Sequence, residues 1–486
     1  MNKRGLATSV VAALALLSPR VVLAQAQYVA GSDSPQWLKD RQYNEGIGIR
    51  QGDLELHPGV AGEAGYDSNW FLRSSSNAGY GNSGPATPPI PAMVFRVTPS
   101  LYVSTLSPQR TAEGGVAEPP SVRFRAGINA TYREFVGLSN SSFASQSQND
   151  ISQQRNVSGA ADARLEIAPE RPFGAALFAN FARTIMPNTV TADPNLSFNR
   201  DDVGAGGEVV VQPGGGTLDW HFGYVFRDTL FEESAGSPYD NTTNEAYTRG
   251  RWRFRPRTAL IYDADFRFIN YANASQALAG GLVSSDPIRA RLGLNGLVTD
   301  RFAVLVMAGW GASFYDQTIP HQQQYDSVIG QAELKWFLSA SPGVAEASDL
   351  GLALSSIALG YTRDFQNSYL GAFYGQDRGY LRFNYFFAGR ALVTLEGGAG
   401  AIEYPTMYWG NGDFRHSSFS DVRVDGTLFG EYRFTNTFAL NATVRYTANI
   451  SNTQVSYADT AAPTNAELYD MSWNRLEAYL GVRWFM

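Results

Sequence analysis

Over long stretches the chain places an apolar side chain at every second position and a polar or charged one between. Val122, Phe124, Ala126, Ile128, Ala130 and Tyr132 alternate with Arg123, Arg125, Gly127, Asn129, Thr131 and Arg133. Leu218, Trp220, Phe222, Tyr224 and Phe226 are interleaved with Asp219, His221 and Arg227. Val422, Val424, Leu428, Tyr432 and Phe434 alternate with Asp421, Arg423, Asp425, Glu431 and Arg433. Successive side chains of a strand point to opposite faces, so each stretch predicts a strand with one greasy and one charged face.

A soluble β-sandwich alternates too, and three features separate it from a membrane barrel. Many stretches run to about 12 residues, where globular strands average five or six and a tilted membrane strand needs about 9–11. Aromatic residues gather toward the ends of the apolar faces (Tyr66 with Trp70, then Trp220, Trp252, Trp310, Trp336 and Trp484), as a girdle at a membrane interface requires. Connections alternate between short turns, near 169–172, 213–216, 256–257, 299–301, 388–390 and 435–436, and long polar loops, such as 67–92, 135–154, 271–286, 405–418 and 450–470. The turns 107–120 and 339–349 are longer than this rhythm prefers.

This rhythm predicts an all-β fold, a transmembrane antiparallel up-and-down β-barrel of about 18 strands, an even number as bacterial barrels have. The spans are 53–66, 93–106, 121–134, 155–168, 173–185, 200–212, 217–229, 243–255 and 258–270 in the first half. In the second they are 287–298, 302–314, 325–338, 354–365, 373–387, 391–403, 419–434, 437–449 and 472–486. Both chain ends then lie on the short-turn, periplasmic side. An open sheet edge finds no partner in lipid, so the sheet must close on itself.

Composition supports this reading. Charged residues make up 17% of the 486 residues and aromatics 13%, with 48 glycines, a mix unusual for a soluble enzyme. Lys3 and Arg4, an apolar run from 6 to 17 and Val22-Leu23-Ala24 predict a signal peptide over 1–24, removed after Ala24, and hence a Gram-negative outer-membrane destination. Residues 25–49 are then a periplasmic N-terminal segment, and 50–486 the barrel. No later run of 18 apolar residues occurs to make a membrane helix. Without cysteine there is no thiol catalysis and no Cys-ligated metal, and the formal charge of −7 gives no sign of nucleic-acid binding. Leu476, Ala478, Leu480, Val482, Trp484 and Met486 make one apolar face running to the last residue. Such a terminal strand resembles those of outer-membrane barrels and implies the barrel assembly machinery, outer-membrane lipid and lipopolysaccharide as partners. It departs from the usual terminal phenylalanine by ending Trp484-Phe485-Met486.

If the apolar faces meet lipid, the others line a lumen. Arg249, Arg251, Arg253 and Arg255 share one face of a strand, Arg267 lies on the next, Arg289 and Arg291 on the one after, and Arg123 and Arg125 on an earlier one. Guanidinium is planar and always charged, so this arc could attract anions or stack along sugar rings. Equally, the arginines could pair with acids of neighbouring strands such as Asp263 and Asp265 and stiffen the wall. These residues are the pore-lining candidates.

The polar faces carry no recognisable catalytic chemistry. His57 and His221 face the lumen by parity and His321 and His416 fall in loops, but no spacing singles out a nucleophile–base pair. There is no HExxH, phosphate loop or EF-hand, so neither a metal nor a cofactor is expected, and an enzyme is the least favoured reading.

The start of the barrel reads Arg50-Gln51-Gly52-Asp53-Leu54-Glu55-Leu56-His57-Pro58-Gly59, then Gly65-Tyr66-Asp67-Ser68-Asn69. It resembles the first strand of the beta-barrel porin type 2 family, and Phe95-Arg96-Val97-Thr98-Pro99-Ser100-Leu101 resembles that family's second. The resemblance extends from about residue 45 to the end and implies, through barrels of the Wzp type, export of a secreted polysaccharide with a periplasmic polysaccharide export protein. It carries over no substrate-binding residue. A general diffusion porin for small solutes is the alternative, and it predicts a loop folded inward to narrow the pore. A barrel enzyme is the third reading.

Overall fold

The computed structural model describes residues 35, 37, 46–74, 89–105, 121–138, 151–169, 171–185, 199–316, 319–338, 355–387, 390–457 and 467–486. The signal-peptide segment and nearly all of 25–49 lie outside them, as do 75–88 of the 67–92 loop and the whole of the 107–120 and 339–349 connections.

Eighteen long strands make one closed antiparallel barrel. They are β1 (Leu54–Asp67), β2 (Ala92–Thr105), β3 (Val122–Gly137), β4 (Asn156–Ile167), β5 (Phe173–Thr184) and β6 (Arg200–Val211). Next come β7 (Leu218–Phe231), β8 (Asn241–Arg255), β9 (Thr258–Tyr271), β10 (Ser285–Leu297), β11 (Phe302–Tyr315) and β12 (Tyr325–Phe337). The last are β13 (Ser356–Asn367), β14 (Phe373–Phe387), β15 (Ala391–Tyr404), β16 (Phe419–Arg433), β17 (Phe438–Ile450) and β18 (Trp473–Phe485). Each pairs with its neighbours in sequence, and β18 closes on β1 from Gly59↔Phe485 to Asp67↔Glu477. Every strand falls within three residues of its predicted span. The largest difference, three residues, is at the loop end of β3, which pairs beyond the apolar stretch.

Closure is reinforced where the ends meet. The Met486 amide donates to the Pro58 carbonyl at 3.0 Å, and His57 Nδ1 bonds the Met486 carbonyl at 3.2 Å. At the other end of the seam Arg475 and Asp67 pair at 2.6 Å.

The alternation sorts as a membrane requires. Leu359, Leu480 and Val482 are 61%, 58% and 59% exposed on the outside, whereas Arg483, next to Val482, is 2% exposed inside. Only lipid can cover such an outer face without cost. Phe302 stacks on Trp336 (6.1 Å, 12°) near the short-turn end, and Trp310 Nε1 donates to Asp326 Oδ1 at 2.5 Å toward the long-loop end.

One stretch of wall is incomplete. Strand pairing of β12 with β13 stops at Gly330↔Arg363, leaving Tyr325 to Ile329 in register with β11 alone, while Arg363 Nε donates to the Val328 carbonyl at 3.2 Å. Above that point β13 leans inward. Phe365, fully buried, stacks on Tyr325 (4.1 Å, 21°), and Arg289 of β10 donates to the Phe365 carbonyl at 2.6 Å.

Candidate conduit through the barrel

The lumen is lined by opposed charges in fixed pairs. Arg291 grips Asp263 through Nε and Nη2 (2.9 and 2.6 Å), and Arg289 lies 3.0 Å from Asp364 and 3.6 Å from Asp265. Arg267 pairs with Asp265 (3.2 Å) and Glu245 (3.4 Å). Arg249 reaches Glu208 at 3.0 Å and Arg251 reaches Asp219 at 2.9 Å. Arg123 lies 3.3 Å from Glu166, while Arg125 stands opposite Arg164 in register. Arg253 and Arg255, nearest the periplasmic rim, make no ion pair among the described residues, and Arg255 is exposed. The wall therefore presents paired charge over most of its height. Such pairs add little net stability, because desolvation offsets their attraction, but removing one member is costly.

Several pairs skip a strand, and small residues make this possible. Glu208, Gly223 and Tyr247 stand in one row across β6, β7 and β8. Tyr247 lies flat over Gly223, where a Cβ would overlap its ring, and its hydroxyl donates to Glu208 at 2.8 Å. Glu333, Gly360 and Tyr380 repeat the arrangement on β12, β13 and β14, with a 2.6 Å bond. Arg378 likewise passes over Gly398 of β15 to Asp425 of β16 at 2.6 Å.

The extracellular mouth is bridged. Tyr369, in the turn between β13 and β14, meets Phe231 of β7 (5.7 Å) and Tyr239 beyond it (5.4 Å). Those residues lie far round the wall from β13. The β15–β16 loop carries a small hairpin (Met407–Tyr408 with Phe414–His416), and its Arg415 donates to the Gly280 and Leu370 carbonyls, both at 3.3 Å. Above β1–β5, Trp70, Phe71, Phe135 and Ile151 form a separate buried cluster with Tyr479 of β18. At the periplasmic end Trp37 is packed against inward-facing Ala61, Tyr102 and Phe429, with the Arg483 guanidinium 5.1 Å from its ring. Trp37 thus sits inside the barrel.

The histidines serve the wall or the loops. His221 lies between Asp219 (2.9 Å) and Glu208 (3.4 Å), His57 holds the C-terminus, and His416 bonds the Ser417 carbonyl at 2.6 Å. Among the described residues no group of acids and histidines could hold a metal ion. Sequence reasoning named the charged residues but missed the aromatic ones, namely Trp37, Tyr247, Tyr369 and Tyr380. The signal for Tyr247 and Tyr380 was present, since both have the parity of the charged face.

No family model and no curated protein matches the chain. The resemblance of the first two strands to a porin family therefore does not extend to a family assignment. Among solved structures, OccAB4 of Acinetobacter baumannii is 10% identical over 90% of this chain and 99% of its own, with a TM-score of 0.40. OpdQ of Pseudomonas aeruginosa is 12% identical over 89% and 98%, with a TM-score of 0.42. The FrpB iron transporter of Neisseria meningitidis is 8% identical over 90% and 82%, with a TM-score of 0.43. At these levels the likeness reaches no further than barrel architecture.

Proposed function

We propose that the barrel is an outer-membrane conduit for small hydrophilic solutes. The observation that carries this reading is the β13–β14 turn, whose Tyr369 reaches Phe231 and Tyr239 across the mouth. An inward element of this kind narrows a wide barrel to the scale of small solutes, while the lumenal wall offers them polar surface. Paired lumenal charges favour neither sign strongly, so weak ion selectivity is expected. The mature chain reconstituted in planar bilayers should give steady conductance with a reversal potential near zero in a salt gradient. Tyr369→Ala should raise that conductance. Absence of conductance from both proteins would overturn the reading.

Export of a secreted polysaccharide with a periplasmic export protein is the second reading. The lumen-facing aromatic residues of β14–β16 favour it, since such rings suit sugars. It requires the bridged mouth and Trp37 to move aside. Loss of surface polysaccharide on deletion of the gene would support it over the first.

A further inference from the structure

Three aromatic side chains at the extracellular end of the lumen differ from the rest. Tyr404 of β15 and Phe419 of β16 are opposite one another in register, and their rings stack at 4.6 Å and 18°. Tyr374 of β14 continues the surface, 5.7 Å from Tyr404, and His416 closes it edge-on, 5.2 Å from Phe419. All three have the inward parity of Arg378, Glu396 and Asp421 on their own strands. Unlike Trp70, Phe135 or Phe365, which are fully buried, all three are only partly buried. Tyr247 and Tyr380 bind their hydroxyls to wall carboxylates, but those of Tyr374 and Tyr404 have no hydrogen-bond partner among the described residues.

Polar groups stand directly below on the same face of β16. Asp421 is 1% exposed; its Oδ2 accepts from Asn449 Nδ2 at 2.8 Å, while Oδ1 has no hydrogen-bond partner. Arg423 donates to Asn449 at 3.4 Å and lies 5.6 Å from the Trp473 ring, and its Nε is likewise without a hydrogen-bond partner. Opposite Arg423 on β15 is Gly400, which adds no side chain beside the guanidinium, while Ile402, buried, stands opposite Asp421.

We propose that Tyr374, Tyr404 and Phe419 form a binding surface for the pyranose rings of an oligosaccharide, with Asp421 and Arg423 receiving its hydroxyls. The axial C–H face of a pyranose is apolar while its rim is a ring of donors and acceptors. It therefore matches flat aromatic faces bordered by a carboxylate and a guanidinium. A row of rings over three adjacent strands suits a linear chain of sugars better than a single one. The proposal rests on the conduit reading and narrows its cargo to saccharides.

Isothermal titration of the purified mature barrel in detergent micelles tests it, with maltohexaose and cellohexaose as probes and a polyethylene glycol of similar length as comparator. At least one hexaose should bind, and the glycol should not. Tyr404→Ala and Phe419→Ala should each weaken binding roughly tenfold, about the loss of one aromatic contact. Tyr404→Trp, which keeps a ring, should restore it, and Phe314→Ala on the lipid face should leave it unchanged. Heat-dependent gel mobility reports whether each variant is folded. No binding of either hexaose, equal binding of the glycol, or unaltered binding by both folded alanine variants would overturn the proposal. Conductance without any response to sugar would refute this site and leave the conduit standing, whereas sugar binding without conductance would refute the conduit alone.

Discussion

The tyrosine laid over a glycine offers a sharp test of how the wall is held. In Gly223→Ala the new Cβ would occupy the place of the Tyr247 ring. The obstacle is the outer part of a hinged ring, not backbone, so Tyr247 can swing off the wall. In doing so it gives up its 2.8 Å bond to Glu208. A hydrogen bond to a charged group contributes about 1.5–3 kcal/mol. Glu208 keeps Arg164 and Arg249 (3.0 Å) as partners, and a freed hydroxyl finds water in the lumen, so the net loss should be about 1–2 kcal/mol. Urea unfolding of the barrel in lipid vesicles, followed by tryptophan fluorescence, measures it. Tyr247→Phe should cost about as much, and the double variant little more than either, because both act on one bond. Fully additive losses, or a Gly223→Ala barrel as stable as the parent, would refute the reasoning. The Gly360, Tyr380 and Glu333 row should behave in the same way.

Arg378 is the buried hub between Glu396 (3.1 Å) and Asp425 (2.6 Å), so Arg378→Met should destabilise the barrel by about 3–5 kcal/mol, partly relieved by Asp425→Asn, in the same unfolding assay. Gly309→Ala should impair folding far more than Gly379→Ala, measured as the folded fraction on gels. A Cβ at Gly309 would strike the backbone of Ala290 and Arg291, whereas none would meet anything at Gly379. Trp37→Ala should increase single-channel conductance, because the indole is seated among Ala61, Tyr102 and Phe429 inside the lumen.

The strand plan was written in the chain itself. A membrane strand has only two environments, lipid and lumen, and side chains alternate strictly between them, so a period of two marks both position and facing. The span 373–387 is the same in sequence and structure, and the apolar row ending in Trp484 lies outward as its parity demands. The acids and arginines of the inner face were legible for the same reason. Their partners were not. Which acid meets Arg249 depends on the stagger between β6 and β8, set by turns and by backbone pairing that no single strand encodes. Whether Tyr247 lies flat depends on Gly223 arriving beside it. The inward lean of β13, the reach of Tyr369 to Phe231 and the seat of Trp37 join residues far apart in sequence. Only closure of the barrel brings them within contact. Periodicity determined which residues face inward; three-dimensional register decided what they meet there.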